Sequence, residues 1–443
     1  MIEILPDVLA ALAFAWLLFL AAQTIRRLLR RGCSATDLVI AFYCLVSLAP
    51  IVQDTLLGVP RYSLFPGLRA AETDPATNVI YYIYLMAAPV PMLAVRSFWR
   101  YRPIKWRDAG CQIRSDMAPL RIYMVALLVC PAVYFLVAAP DYRKFLSYAI
   151  VLEKAFTYDD WHFYNTLNFI TYFCLFGAIV LLVTTRRLWF DLLLVTPFLA
   201  FANYTNGKRN IVFFSALCCL LALRISKRIR TPALVCLLIV FAGAYAAYNA
   251  VYQDAYRNYV FVRDVNYDSV RLDWGRDADV KLALFSELNS DTASILEYRC
   301  ETLIFNTLFF VPRVYWDDKP WPYSYYITAR AMQVPYQQLK WGLTTSILGE
   351  AVANLGWFGC IAAPVFLACL GWFGDRAGNA VMTLFTAAIA ILSLMLMMPN
   401  FLPILLVWLV LVARDWRAHA RAERRPPAGY SEGRPGRLAQ ELP

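Results

Sequence analysis

Residues 4–31 of the chain read ILPDVLAALAFAWLLFLAAQTIRRLLRR. The apolar part ends at Ile25, and about 20 such residues suffice for a helix to cross a hydrocarbon layer of about 30 Å. The arginines follow the apolar run instead of preceding it, which is the reverse of a cleavable signal peptide. The segment is therefore predicted to stay in the protein as a first membrane span, with its N-terminus outside the cytoplasm.

Long apolar runs and short basic clusters alternate along the rest of the sequence. Of its 443 residues, 60% are hydrophobic and 16% are charged, whereas a soluble domain carries about 25% charged residues. The mean hydropathy is +0.51. These values predict an all-α polytopic membrane protein with about 11 transmembrane helices. The predicted spans are 4–25, 36–58, 76–97, 119–139, 163–184, 188–204, 210–225, 231–251, 346–372, 379–398 and 400–413.

The positions of the basic residues predict the orientation of the chain. With the N-terminus outside and the C-terminus inside, every basic cluster falls on the cytoplasmic side. The net charge of +11 therefore needs no nucleic acid as a partner. The clusters are Arg26 to Arg31; Arg96, Arg100, Arg102, Lys105 and Arg107; Arg186 and Arg187; Arg224, Lys227, Arg228 and Arg230; and Arg414 to Arg425.

This topology divides the sequence into four parts. Residues 1–251 hold the first eight spans, 252–345 form one large loop outside the cytoplasm, 346–413 hold the last three spans, and 414–443 form a basic, disordered cytoplasmic tail that lies against anionic lipid headgroups. Within the polar, aromatic-rich loop, 291–311 is predicted to be a helix that dips into the membrane interface. Its cap would be Ser290 or Asp291, and Pro312 would end it.

Lys208 and Arg209 are positive residues on the side of the membrane that the topology bias disfavours. They lie in the short outside turn Asn206-Gly207-Lys208-Arg209-Asn210. One interpretation is an anion site, because arginine offers a planar fork and lysine a point charge to phosphate oxygens. The other is that both side chains reach outward to lipid headgroups. Their position alone favours neither.

A second basic group lies in the loop segment Val311-Pro312-Arg313-Val314-Tyr315-Trp316-Asp317-Asp318-Lys319-Pro320. Arg313 and Lys319 would complete a phosphate clamp. Alternatively, Arg313 pairs with Asp317 or Asp318 to stabilise a turn, and the spacing favours this pairing. The two aspartates would also suit a divalent ion, but adjacent carboxylates without further ligands are a weak signal for metal.

Glu350 lies in the first turns of an apolar segment that begins at the outer face. An ionisable residue at that depth is a candidate functional group, and a carboxylate removed from water becomes a stronger base. A salt bridge to a loop arginine, or a favourable position near the helix N-terminus, would also explain it. Arg257, Arg263 and Arg299 are further outside arginines, and loop ion pairs explain them best.

The sequence argues against metal and histidine chemistry. It contains two histidines, His162 and His419, and no Cys-x-x-Cys pair among its 11 cysteines. No cofactor and no metal are therefore predicted, and an acyltransferase with a histidine-based site is disfavoured.

Three segments resemble the bacterial O-antigen and capsular polysaccharide repeat-unit polymerases (Wzy type). They are Phe310 to Pro320 with its Pro-Arg and Lys-Pro pairs, Thr345 to Glu350 with its Gly-Glu pair, and Asn354-Leu355-Gly356-Trp357-Phe358-Gly359. The turn Gly207-Lys208-Arg209 is similar to that family's Gly-x-Arg turn, although many relatives have Ser-Arg where this chain has Lys-Arg.

The resemblance implies a function, site residues and partners. The family joins undecaprenyl-diphosphate-linked oligosaccharides at the periplasmic face of the inner membrane, without a cofactor, beside a flippase and a chain-length regulator of the same pathway. Glu350, Arg313 and Arg209 would be the catalytic residues. Substrate binding would fall to Lys208, Lys319, Arg257, Arg299 and Asp317.

Two other functions remain open from the sequence. An O-antigen ligase acts on the same donors but would be expected to carry a histidine in its large loop, where this chain has none. A flippase or polysaccharide transporter would place charges or broken helices near the middle of the membrane and often has inverted repeats. Charged residues are nearly absent from the middle of the predicted spans.

Overall fold

The computed structural model describes residues 4–98, 103–145, 158–185, 187–206, 209–230, 232–234, 236–241, 243–245, 247, 271–272, 275–290, 294–311, 313–339 and 342–423. Over these residues the regular structure is helical, apart from an isolated antiparallel bridge between Cys33 and Ile104. The helices are α1 (Leu5–Arg31), α2 (Ala35–Leu57), α3 (Pro66–Thr73), α4 (Pro75–Ala87), α5 (Val90–Phe98), α6 (Trp106–Met117), α7 (Arg121–Ala138), α8 (Tyr142–Phe145), α9 (Tyr158–Val183), α10 (Leu188–Asn206), α11 (Arg209–Ile225), α12 (Asp277–Leu288), α13 (Glu301–Thr307), α14 (Tyr323–Met332), α15 (Ile347–Leu355), α16 (Gly359–Arg376), α17 (Ala380–Met395) and α18 (Met398–Glu423).

Several of these helical stretches match the length and composition of membrane spans. Within the described part of the chain, 7 helical stretches are long and apolar enough to cross a bilayer: Leu5–Arg31, Ala35–Leu57, Pro75–Phe98, Asp108–Ala138, Thr166–Val183, Leu188–Asn206 and Ile347–Arg376. Shorter apolar helices occupy Ser215–Arg224, Pro232–Tyr245, Ala380–Met395 and Ile404–Ala413. The predicted all-α polytopic membrane fold is thereby confirmed.

Large apolar side chains cover the outside of the bundle. Ile122, Leu136, Val137, Trp189 and Leu193 are all exposed on their helices. A soluble protein rarely exposes apolar surface on this scale. A lipid environment accounts for it, because hydrocarbon tails solvate such side chains.

The helices pack in two groups. The larger core joins α1–α5 with α12 and with α14–α18, so the two ends of the chain share one core. The smaller core joins α6, α7 and α9–α11. Helix α12, which belongs to the long loop, is enclosed within the larger group, and 9 of its 12 residues are buried. The long loop is therefore anchored inside the helical bundle at this helix.

Basic residues from separate helices meet at one end of the bundle. Arg27 and Arg96 both approach the carboxylate of Asp37 at the start of α2, at 3.3 and 3.6 Å. The carboxylate of Asp375, at the end of α16, accepts a hydrogen bond from the hydroxyl of Ser34 at 3.0 Å. Two of the predicted cytoplasmic clusters therefore share one face of the molecule.

The last helix is longer than predicted. It continues to Glu423, although the sequence placed the end of the span at 413 and a disordered tail after it. Alanine, arginine and glutamate follow, and these residues favour helix. The first part of the predicted tail, up to Glu423, is therefore helical, and residues 424–443 lie outside the described part of the chain.

Candidate functional site

Glu350 lies in the first turn of α15. This N-terminal end of α15 packs against the long loop. Ser346 caps this helix, because its hydroxyl accepts a hydrogen bond from the backbone N–H of Gly349 at 3.3 Å. The Glu350 side chain is 2% exposed. The predicted place of this carboxyl in the first turns of a helix is confirmed. Its location at the outer face of the membrane and its role stay predictions.

Two side chains of α13 hold the carboxyl of Glu350. Its Oε1 atom accepts hydrogen bonds from the Thr302 hydroxyl at 3.1 Å and from Asn306 Nδ2 at 2.8 Å. Its Oε2 atom accepts no hydrogen bond among the described residues, and the backbone amide of Met398 lies near the carboxyl. The alternative of a salt bridge to a loop arginine finds no support in the described part of the loop. Oε2 is thus buried beside the Met398 amide and has no close donor in the described part of the chain.

Asn354 fastens α13 to α15 one turn after Glu350. Its Oδ1 atom accepts the backbone N–H of Thr302 at 3.1 Å, and its Nδ2 donates to the Thr302 hydroxyl at 2.7 Å. Its backbone carbonyl accepts the N–H of Cys300 at 3.1 Å. These bonds align the residues of α13 that contact Glu350.

The predicted helix over 291–311 is wrong in its extent. Residues 291–293 are outside the described part of the chain, 294–300 are not helical, and α13 spans only Glu301–Thr307. The chain turns at Cys300, which has a left-handed backbone with φ 64°. The bond from Cys300 to the Asn354 carbonyl stabilises this turn, so a tertiary contact overrides the helical tendency of the sequence.

Arg313 holds together the base of the short hairpin from Phe309 to Pro320. Its guanidinium donates to the carbonyls of Lys319 at 2.5 Å and Pro320 at 2.8 Å. It also stacks on the ring of Trp321, 3.9 Å from the centroid. The predicted alternative, a pair with Asp317 or Asp318, is not formed, because carbonyls take the place of the carboxylates.

Lys319 is buried beside Arg313 and is also bound to carbonyls. Its Nζ donates to the backbone oxygens of Phe309 at 2.8 Å and Val311 at 2.7 Å, and it lies 5.0 Å from the ring centroid of Phe305 in α13. Burial, and then the charge of Arg313, lowers the pKa of Lys319 below its ordinary value. Neither cation is paired with a carboxylate among the described residues, so an anion would be favoured here.

Asp317 and Asp318 are exposed at the tip of the hairpin. Among the described residues, no three histidine, cysteine, aspartate or glutamate side chains are grouped to hold a metal ion. The hairpin therefore presents its carboxylates to solvent and keeps its cations at the base.

The remaining predicted site residues separate into two sets. Arg299 forms a two-pronged ion pair with Glu287, at 2.8 and 2.6 Å, as the loop ion-pair interpretation predicted. Arg209 begins α11, but its side chain lies outside the described atoms. Lys208 and Arg257 also lie outside the described residues.

A buried ion network on the long loop was not predicted. Arg271 is 0% exposed and bonds Asp54 at 2.8 and 2.7 Å and Asp277 at 2.6 Å. Lys281 bonds Glu72 at 2.5 Å and lies 3.8 Å from Asp277. Burial opposes ionisation of Asp277, but Arg271 outweighs this effect and holds the pKa of Asp277 below its ordinary range.

A signal for this network does exist in the sequence. The segment Asp277-Ala278-Asp279-Val280-Lys281 is followed directly by Leu282-Ala283-Leu284-Phe285. Charged residues that alternate with apolar residues just before an apolar run fit a buried helix as well as an exposed helix. The partners Asp54 and Glu72 are more than 200 positions away in sequence, and no local pattern connects them to α12.

The comparisons with known proteins add no further identification. No protein-family model matches this chain, and neither a curated protein nor a solved structure matches it.

Proposed function

We propose that this chain polymerises lipid-diphosphate-linked oligosaccharide repeat units at the periplasmic face of the bacterial inner membrane. One observation carries the proposal: the three segments that resemble the polymerases meet on α13. Glu350 binds Thr302 and Asn306 of this helix, Asn354 binds its start, and Lys319 lies over Phe305. The segment that follows α13 and the two consecutive segments at α15 are therefore neighbours in space.

The chemistry assigns a role to each of these groups. The acceptor hydroxyl attacks the anomeric carbon of the donor sugar and loses its proton to Glu350. The new glycosidic C–O bond forms as the C–O bond to the diphosphate breaks, and the leaving undecaprenyl diphosphate takes the electron pair. Fixed cations near the departing oxygens stabilise that charge, and Arg313 and Lys319 are the described candidates. Arg209 and Lys208 are further candidates in the turn before α11.

The contacts of the cation pair support its role better than its position in the loop alone. Arg313 and Lys319 donate to carbonyls and have no carboxylate partner in the described part of the chain, whereas Arg299 is paired with Glu287. We therefore place Arg299 outside the phosphate clamp. No metal is required by this mechanism, because the protein itself supplies the positive charge.

The proposed topology has about 11 spans, with the N-terminus outside and the C-terminus inside. The 7 long helical stretches and the shorter apolar helices supply the segments for it. In this orientation the hairpin, α13 and Glu350 face the periplasm. Lipid-linked donors and acceptors would reach them from the outer leaflet.

A transporter is the second candidate, and the buried ion network favours it. Ionisable groups buried among spans often mark ion or proton pathways. Asp277 and Lys281 are such groups on α12, which packs against α3, α4 and α15, and Arg271 precedes this helix in the chain. An O-antigen ligase remains the nearest enzymatic alternative, since it uses the same class of donor.

Deletion of the gene tests the proposal. A polymerase deletion should leave glycolipids that carry single repeat units and no longer chains, and the intact gene should restore the chain-length ladder. A flippase deletion would trap the lipid-linked unit in the inner leaflet, with no repeat unit at the cell surface. A ligase deletion would leave long chains on undecaprenyl diphosphate. Either of these last two results would overturn the polymerase proposal.

A further inference from the structure

Helix α12 reaches the start of α15 through one buried carboxylate, that of Asp279. Oδ2 of Asp279 accepts the backbone N–H of Ser346 at 2.5 Å, and Oδ1 accepts the Ser346 hydroxyl at 3.1 Å. Ser346 is the cap of α15. A carboxylate from another helix thus supports the cap of the helix that carries Glu350.

The contact continues to Glu350 through the backbone. The hydroxyl of Ser346 accepts the N–H of Gly349, and the carbonyl of Ser346 accepts the N–H of Glu350 at 3.1 Å. Displacement of Ser346 would therefore displace the first turn of α15. Asp279 sets the position of Glu350 across these two bonds without touching it.

Gly349 shows how closely the two helices approach. A Cβ atom at this position would lie 2.7 Å from Oδ1 of Asp279 and 2.9 Å from its Cγ. Carbon atoms do not normally approach this closely, so the carboxylate accounts for glycine at this position. The Gly-Glu pair in the sequence is thus explained by a residue 70 positions earlier, from Asp279 to Gly349.

The surroundings of Asp279 allow it to change charge near neutral pH. Burial, the largest cause, raises the pKa of Asp279 to about 7, although hydrogen bonds from Ser346 and the charge of Arg276 oppose this effect. Asp277 on the same helix raises it further. Tyr323 of α14 and Tyr84 of α4 also face this carboxyl, and the Tyr323 hydroxyl has no hydrogen-bond partner among the described residues.

We propose that Asp279 is a positioning residue for Glu350, through which the buried helix of the long loop controls the proposed base. The inference rests on the proposed role of Glu350. As a carboxylate, Asp279 accepts both donors of Ser346 and places negative charge at a helix N-terminus. Protonation removes that charge and turns one acceptor oxygen into a donor, which weakens the hold on Ser346.

If Asp279 served only to stabilise the fold, its replacement would have different effects. It would change the stability of the protein and the amount inserted, and would leave the pH dependence of turnover unaltered. The positioning role instead predicts that activity rises with pH through about 7, as Asp279 becomes a carboxylate. Glu350 must also be ionised to act as a base, so the transition assigned to Asp279 is the part of the pH profile near 7 that replacement of its carboxyl by an amide removes.

The test uses the full-length protein in detergent or membranes, with lipid-linked oligosaccharide extracted from the deletion strain. Asp279→Asn should lower kcat by roughly 10- to 100-fold with little change in KM, because misplacement of a catalytic group affects the chemical step. Its rate should no longer change through pH 7. Asp141→Asn, at an exposed carboxyl, should keep the wild-type rate and profile.

Gly349→Ala is the second variant, for use if Asp279→Asn does not insert. It keeps the carboxyls of Asp279 and Glu350 but adds a methyl group that displaces the carboxylate of Asp279 from the start of α15. It should therefore move the midpoint of the pH profile and lower the rate. An unchanged rate and midpoint in whichever variant inserts would overturn the inference. Wild-type protein and Glu350→Gln separate this result from the wider proposal. No chain extension by the wild-type protein would overturn the proposed function, and an active Glu350→Gln would overturn the base and the positioning role together. If Glu350→Gln is inactive while Asp279→Asn behaves as wild type, only the positioning role fails.

Discussion

Arg313 and Lys319 are loop cations that are held by backbone carbonyls instead of carboxylates. Each is bound to backbone carbonyls and lies against an aromatic ring, Trp321 for Arg313 and Phe305 for Lys319. Carbonyl oxygens fix the geometry of a cation but cancel little of its charge. The pair is therefore suited to stabilise negative charge on a departing diphosphate.

Lys319→Met tests the cation pair, because it removes the charge and keeps most of the stem over Phe305. We expect chain extension to fall by about 100-fold, the usual cost of losing one fixed donor to a developing anion. Lys319→Arg should recover part of the activity, since it restores the charge. The rate of chain extension by purified protein measures both variants.

Arg299→Gln is the matched control for this prediction. It removes one positive charge from the same loop, but from a partly exposed pair with Glu287, which contributes about 0–1 kcal/mol to stability. Near-normal chains are expected. Equal losses in Lys319→Met and Arg299→Gln would show that the overall charge of the loop matters rather than this cation.

At the scale of single elements, α13 links Glu350 with the cation hairpin. It has only 7 residues, too few for an isolated helix to be stable in water. Asn354 at its start and Glu350 along one side therefore hold it in place. A change on the buried side of this helix should affect the site, while a change on its exposed side should not.

Thr302→Val and Thr307→Val make this comparison within one helix. Thr302 donates to Glu350 at 3.1 Å, whereas the exposed Thr307 donates to the carbonyl of Leu303 in its own helix at 2.8 Å. Thr302→Val should lower stability by about 1–3 kcal/mol, because a buried carboxylate loses a donor, and it should lower activity as well. Thr307→Val should change neither; the thermal midpoint of the purified protein and the chain-extension rate measure the two effects.

Helix α12 depends on its ion network in a comparable way. Arg271→Met should destabilise the protein by about 3–5 kcal/mol, since the buried Asp277 and the half-buried Asp54 would lose the cation that they share. Thermal unfolding followed by tryptophan fluorescence measures this change. Arg143→Met, at an exposed arginine, is the control. A midpoint for Arg271→Met equal to that of the control would contradict the assigned role of the network.

The long helices could be predicted from the sequence, whereas contacts between distant segments could not. Apolar length alone predicted the long helices, because each span has to satisfy its own backbone hydrogen bonds. The extent of α13 was mispredicted because its start is fixed by Asn354, which is 54 positions from Cys300. Similarly, Glu350 was found from its polarity in an apolar run, whereas Asp279 was missed because its partner Ser346 is 67 positions away.

For the whole molecule, the position of the long loop is the main departure from expectation. The sequence indicated a polar segment lying outside the spans. Instead, α12 shares a core with α3, α4, α14 and α15, so part of the loop is buried in the helical bundle. The proposed base thus lies between a membrane helix and elements of the loop, where water is largely excluded.

Thiol labelling from each side of the membrane tests the proposed topology. An impermeant maleimide added to spheroplasts should modify Asp318→Cys at the exposed hairpin tip. It should reach the native, exposed Cys111 in α6 only after permeabilisation. Wild-type protein labelled in parallel shows the background from the remaining cysteines. Labelling of Cys111 in sealed spheroplasts, or protection of Asp318→Cys, would contradict the proposed orientation.

The most direct measurement is the rate at which purified Glu350→Gln extends lipid-linked oligosaccharide extracted from the deletion strain. Glutamine keeps the shape of the side chain and its bonds to α13, but it cannot accept the proton of the acceptor hydroxyl. A loss of at least about 100-fold relative to wild type, with normal insertion and thermal stability, is expected for a general base. Wild-type rates from Glu350→Gln would contradict the assignment of this carboxyl as the base.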